Sequence, residues 1–409
     1  MRYGGVGMLA RYLTAATLAR VGDEMVAFTL VLLVLERTDN PALAGLTGAA
    51  YALPAIVTGP LLGAWLDRTA YRRTALAANQ AVLGLVMVAM LLVVSRSAQW
   101  LAPVLAAIAG TTLPLVSGGF TSMLPSLVRE EQLPRANSLE AASFGVATIT
   151  GPAAAATVAA VASVETAVLV IAGLATLSIL AISRLPVLPA AAKGQNPFLS
   201  SVLGGLAHLA RTPRLRASTV TSTLLMGVVG MLLITLPLHM ASLGMPRSAA
   251  GYLWTALELG SVATALLLGR LSTRWRPEYV VMLAVGASGF AFTTWPLAGS
   301  FVVLLILAVG TGLLEGPMIP AMFAARQQYS PLELQGRVST TAASLRVGVA
   351  ALGQAAAGVL VPAVGTHAAL LVVAGSLVGA SALGYLALKI GRNPEAPADF
   401  VRTESTTWT

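Results

Sequence analysis

The sequence predicts an all-α membrane protein of 12 transmembrane helices in two pseudo-symmetric six-helix bundles. Three observations predict it. Of 409 residues, 56% are hydrophobic and 10% charged, with a mean hydropathy of +0.81, whereas an ordinary soluble domain carries about 25% charge. Apolar stretches of about 20 residues, long enough to cross a ~30 Å hydrocarbon core, recur along the whole length. The net charge of +9 is scattered through the short connections, so it reads as a membrane-orientation signal rather than a nucleic-acid surface.

Hydrophobic patterning places the spans at Leu9–Leu35, Leu43–Leu66, Thr74–Ser95, Leu101–Met123, Ser138–Ser163 and Glu165–Ser183. The second half gives Ala217–Ala241, Ala249–Leu271, Glu278–Leu297, Phe301–Ala325, Val338–Val361 and Ala368–Ile390. The first apolar segment is too long for a signal peptide and counts as a helix. Of 25 Lys and Arg, Arg20 and Arg346 lie well inside spans and Arg37, Arg96 and Arg247 fall in odd-numbered loops. The other twenty lie with the termini and even loops, which puts both termini in the cytoplasm. Trp100, Trp254, Trp65 and Trp275 stand near span ends, as interfacial anchors do.

The domains expected are residues 1–184 as a first bundle, 185–216 as a cytoplasmic linker, 217–390 as a second bundle and 391–409 as a tail. Pro186, Pro189, Gly194 and Pro197 break the apolar pattern; Phe198–Ala210 then reads either as an amphipathic helix along the membrane face or as an unstructured linker. An internal repeat supports two halves. At an offset of 202, Leu66, Arg68, Arg72, Arg135 and Gly151 align with Leu268, Arg270, Arg274, Arg337 and Gly353, while Asp67 aligns with Gly269.

Between the second and third spans stands Gly63-x-x-x-Asp67-Arg68-x-x-x-Arg72-Arg73. Two apolar runs joined by a short basic turn fit a cytoplasmic hairpin. This stretch resembles the loop signature of the major facilitator superfamily, with Ala70 and Tyr71 as departures. Gly22-Asp23, Leu133-Pro134-Arg135-Ala136-Asn137-Ser138 and Gly151-Pro152 are similar to motifs of its drug and siderophore exporters, though the glycines expected around Gly151-Pro152 are mostly Ala. The resemblance implies alternating access about a central cavity lined by the first, fourth, seventh and tenth spans. It also implies that Asp67 meets the cytoplasmic start of the eleventh span, where a helix N-terminus favours a carboxylate, and that Arg68 and Arg72 help to close that side. The alternative is that Arg68, Arg72 and Arg73 only fix topology.

Six ionisable groups fall well inside spans: Arg20, Asp23, Glu24, Glu258, Glu315 and Arg346. Each costs about 2.5–3.5 kcal/mol at a helix centre, so each must pair, protonate or face water. Arg20 lies three and four residues before Asp23 and Glu24, within reach of both. The acid left over is then a proton carrier or, neutral or paired elsewhere, a structural residue. Glu315, flanked by Gly312, Gly316 and Pro317 at a kink or close helix approach, reads as a cation-binding or second protonation site, or, with Arg346 placed to neutralise it, as a buried salt bridge with no transport role. Glu258 reads as a structural partner or a further site. His239 reads as an interfacial polar residue, and Met226, Met231, Phe290 and Phe292 as packing.

The chain has no cysteine, which excludes thiol chemistry. No phosphate loop or metal-ligand spacing occurs, so no cofactor or metal is expected, and no nucleophile–base set suggests an enzyme. The expected activity is proton-coupled export of an amphipathic small molecule by a monomer in a bacterial cytoplasmic membrane. Its partners are that substrate, protons and the lipid bilayer, with no nucleic acid. The alternatives are an importer on the same fold and a membrane receptor or scaffold.

Overall fold

The computed structural model describes residues 6–94, 98–186, 198–272 and 275–390, and all regular structure among them is helical. The first half comprises α1 (Val6–Thr38), α2 (Pro41–Ala52), α3 (Pro54–Arg68), α4 (Arg72–Val93), α5 (Leu101–Gly110), α6 (Phe120–Leu127), α7 (Leu133–Val161) and α8 (Val164–Ile182). A connecting helix, α9 (Phe198–Arg211), follows. The second half comprises α10 (Pro213–Ser242), α11 (Ala250–Ser272), α12 (Pro277–Phe292), α13 (Phe301–Glu315), α14 (Met318–Tyr329), α15 (Leu332–Val364) and α16 (Thr366–Lys389).

Three expected spans are broken helices, each at a proline that cannot donate its backbone N–H. Pro54 separates α2 from α3, and Pro317 separates α13 from α14 just after Glu315. Pro114 precedes a π-helical turn, Leu115–Gly119, between α5 and α6. Starts are capped where the sequence supplies an acceptor: Asn40, Ser163 and Ser300 accept from the backbone N–H of Leu43, Thr166 and Val303.

Eleven segments among the described residues are long and apolar enough to cross a membrane. The 33-residue α1 is not among them, because any 18-residue stretch of it carries at least three charges. Its environment explains how it tolerates them. From Met25 to Leu35 nearly every side chain is buried, and α1 packs against α2, α7 and α8. A helix enclosed by protein need not be apolar to lipid. The outward surface is aliphatic instead: Leu92 is 81% exposed and Leu266 79%. Such exposure suits hydrocarbon rather than water.

The halves repeat one packing scheme. α1 lies against α7 and α8 as α10 lies against α15 and α16. They meet where α2 crosses α15 and α7 crosses α11. The first crossing is glycine on glycine: a Cβ on Gly45 would stand 3.0 Å from the Cα of Gly358. At the end remote from the chain termini, Arg247 crosses between the halves, donating to the Leu35 carbonyl at 2.7 Å and to Asp39 at 2.6 Å. Tyr252 of α11 donates to Thr157 of α7 at 3.1 Å. Helix α9 packs on α15, and His208 contacts the Tyr329 carbonyl at 3.0 Å.

Asp39 is the described non-glycine residue with positive φ, +50°, a conformation that costs an L-residue roughly 1–2 kcal/mol. The Asp39–Arg247 pair is exposed on its acid side and worth about 0–1 kcal/mol. Arg247→Ala should therefore shift the balance between the halves joined and parted at this end by up to about fivefold. Because the chain has no native cysteine, a single cysteine at Met226 should react correspondingly faster with an impermeant thiol reagent added from that end.

Candidate functional site

Arg20 does not reach Asp23 or Glu24. Its guanidinium donates to Glu140 of α7 at 2.5 Å and to the Ser143 hydroxyl, and lies 3.7 Å over the Phe144 ring. Glu140 also accepts from Tyr12 and from Thr121, each at 2.7 Å. Side chains on a helix tilt toward its N-terminus, so Arg20 points away from Asp23 and Glu24 and down toward α7. The result is a buried network joining α1, α6 and α7, in which both Arg20 Nη atoms are partnered and its Nε is not. Arg20 belongs to the scaffold rather than to a cavity.

Asp23 and Glu24, released from Arg20, diverge around α1. Asp23 turns to α2 and accepts from the Tyr51 hydroxyl at 3.1 Å. Glu24 turns to α7 at Gly151, where a Cβ would overlap the Glu24 Cβ and stand 3.1 Å from its carbonyl carbon. This gives Gly151-Pro152 a concrete role: it is the notch that admits Glu24, and the Pro152 carbonyl adjoins Gly251 of α11. Gly353, 202 residues later, packs in the same way on Gly227 of α10; the position 202 after Glu24 is Met226. Gly151→Ala should cost about 1–3 kcal/mol by overpacking. Gly145→Ala, with nothing within 4 Å of its added Cβ, should be neutral or stabilise by up to about 1 kcal/mol. Thermal midpoints in detergent check both.

The acids continue across the interface. Glu24 lies within electrostatic range of Glu258 on α11, and Glu258 of Glu315 at the end of α13. Glu258, Glu315 and Arg346 line a cavity of about 100 Å³ with Trp254, Phe292 and Met318. Met226 also lines it, and both Met226 and Phe292 pack in the apolar core as expected. Arg346 acts electrostatically on Glu315 but donates to the Met322 sulfur at 3.4 Å. None of Asp23, Glu24, Glu258 and Glu315 forms an ion pair among the described residues.

The loop residues divide. Arg72 is buried and donates from Nε to the Leu66 carbonyl at 2.9 Å, closing the end of α3. Arg73 donates to the Leu185 carbonyl at 3.1 Å, tying the start of α4 to the end of α8. The expected contact of Asp67 and Arg68 with the eleventh span, and the packing of Gly63, lie outside the described residues. His239 is not interfacial: it is 1% exposed, with Nδ1 3.2 Å from the Thr366 hydroxyl.

Three buried charges escaped the sequence reading, and all sit at the margins of predicted spans. Glu278 opens the ninth, is 1% exposed and accepts from Tyr329 at 2.7 Å. Glu140 falls two residues inside the fifth. Arg326 falls one residue past the end placed on the tenth, yet α14 continues to Tyr329 and Arg326 is 5% exposed.

Known proteins match the whole of this architecture. An MFS-type transporter of Sinorhizobium fredii, y4rN, is 29% identical over 94% of this chain and 95% of its own. The multidrug efflux pump Tap of Mycolicibacterium fortuitum is 27% identical over 89% of this chain and 92% of its own. Among solved structures, the nucleoside transporter NupG superposes with a TM-score of 0.73 at 14% identity, covering 94% of this chain and all of that one. A bacterial homologue of the lysosomal transporter Spinster, inward-facing and unoccupied, gives 0.70 at 14%, covering 94% and 98%. The family profile of the Major Facilitator Superfamily matches residues 12–246 and 219–408. The chain is a membrane transporter and belongs to the major facilitator superfamily.

Proposed function

We propose that this transporter exports amphipathic small molecules from a bacterial cytoplasm in exchange for protons. The observation that carries the reading is the series Asp23, Glu24, Glu258 and Glu315, two acids from each half, in which Glu24 and Glu258 interact across the interface and none forms an ion pair among the described residues. A carboxylate held out of water beside another carboxylate favours taking up a proton. Inward proton movement is worth about 2.3 kcal/mol per charge per 100 mV. Protons loaded from outside would relieve the repulsion across the interface, and their release inside would restore the acids for a substrate carrying positive charge. The low-identity relationship to the efflux pump Tap supports export over import.

In this reading residues 1–184 and 217–390 are the two rocking bodies of a monomer, with both termini and the 185–216 linker in the cytoplasm. The Asp39–Arg247 pair closes the outer end, and the Asp67–Arg68 loop acts at the inner end. The test is efflux into everted vesicles from an otherwise efflux-deficient host. Energised vesicles should accumulate a lipophilic cationic dye, and a protonophore should abolish the accumulation. Accumulation indifferent to the protonophore would sink the coupling, and uptake by intact cells would reverse the direction.

A further inference from the structure

Two arginines that α14 and α15 carry into the interior of the second half, Arg326 and Arg346, have no carboxylate partner within ion-pair distance among the described residues. Arg326, in the last turn of α14, is 95% buried; its Nη2 donates to the Met322 sulfur at 3.4 Å and its Nε has no partner. Arg346 of α15 donates Nη1 to the same sulfur at 3.4 Å, and its Nε is likewise without a partner. Two donors each 3.4 Å from one atom are at most twice that, about 6.8 Å, apart. The charged group acting on Arg326 is Arg346, another cation; the one acting on Arg346 is Glu315.

A thioether is a weak acceptor and cannot offset two guanidiniums. Charge compensation of the α14 terminus is also a poor account of Arg326, because a guanidinium serving that end donates to its carbonyls, whereas this one donates to sulfur. Met318, Met322 and Arg326 follow one another at four-residue spacing on one face of α14. Met318 and Arg346 line the cavity that holds Glu258 and Glu315. That face therefore runs from the acidic part of the cavity to a pair of under-compensated guanidiniums, the side chain best shaped for a planar oxyanion.

The geometry points to a bipolar site: Arg326 and Arg346 bind a carboxylate of the substrate while Glu258 and Glu315 face its cationic end. The inference rests on the export reading above and narrows its substrates to amphipathic zwitterions. Met322 then holds the two guanidiniums apart until the anion arrives.

The test uses the purified full chain in maltoside micelles, where bulk lipid phosphate does not compete for the arginines. Rhodamine B, a zwitterion, and its ethyl ester, the same dye without the carboxylate, are titrated by fluorescence anisotropy. The wild type should bind rhodamine B at least about threefold more tightly than the ester. Arg326→Gln should weaken rhodamine B about tenfold and the ester by less than about twofold, while Arg326→Lys, which keeps the charge, should fall between. Equal weakening of both dyes, or of neither, overturns the anion subsite and leaves the export reading standing. If Arg326→Gln does not elute as a single species, the wild-type ratio decides, and ester binding as tight as rhodamine B overturns the inference. Binding of neither dye by the wild type overturns the amphipathic-export reading and this inference together.

Discussion

Glu24→Gln and Glu258→Gln should each cut substrate-driven proton flux in proteoliposomes by at least about thirtyfold while leaving the protein as stable as before, or more so. These acids face each other from opposite halves. At an effective dielectric of 20 two like charges repel by about 4 kcal/mol at ~4 Å and by about 2 kcal/mol at twice that separation. The smaller figure is enough to move a two-state equilibrium about thirtyfold, so under the antiport reading proposed above protonation at this place would be coupled to the separation of the halves. A neutral glutamine removes the coupling and the repulsion at once. Lost flux with retained or raised thermal stability is the signature of a working acid, because scaffold charges lose stability when removed. Unchanged flux, or a drop in midpoint of several degrees, would place Glu24 and Glu258 in the scaffold. Asp23→Asn should show a smaller defect, since Tyr51 already donates to that carboxylate.

The fold was legible because its strongest determinants are local. Eleven of the twelve apolar runs correspond to segments able to cross a membrane, and the remaining one, α1, is as long but carries its charges inside the bundle. The helix breaks were only partly legible. Gly316-Pro317 announced the interruption beside Glu315, but Pro54 and Pro114 lie within equally apolar runs and gave no separate sign. The acids of the candidate site were legible as costs, since each stands in a hydrophobic stretch. Their partners were not. Spacing along α1 offered Asp23 and Glu24 to Arg20, whereas the tilt of helical side chains carries it to Glu140, 120 residues away. Glu140 and Arg326 went unnoticed because a composition window ends where polar residues begin, while a helix end is set by capping and tertiary packing.

Arg20 and Glu140 should answer in the opposite sense to Glu24 and Glu258. Both are nearly fully buried, at 2% and 4% exposure, and Glu140 accepts from Tyr12, Thr121 and Arg20 together. Removing one member of such a pair strands the other charge in a low-dielectric interior, at a cost of about 3–5 kcal/mol. Glu140→Ala and Arg20→Met should each lower the thermal midpoint in detergent by roughly 10 °C. The double substitution Arg20→Met with Glu140→Leu removes both charges and fills the space. It should recover most of that loss, because well-packed apolar groups can replace a buried ion pair at little cost. Recovery of transport alongside stability would show that the pair serves only to lock α1 to α7. Recovered stability with transport still absent would instead mean that Arg20 takes part in the proton cycle. The contrast then sorts the intramembrane charges by physics rather than by position. Those that are paired and hydrogen-bonded hold α1 in place, and those without an ion pair among the described residues at the meeting of the halves are the ones the proposed antiport would have change charge.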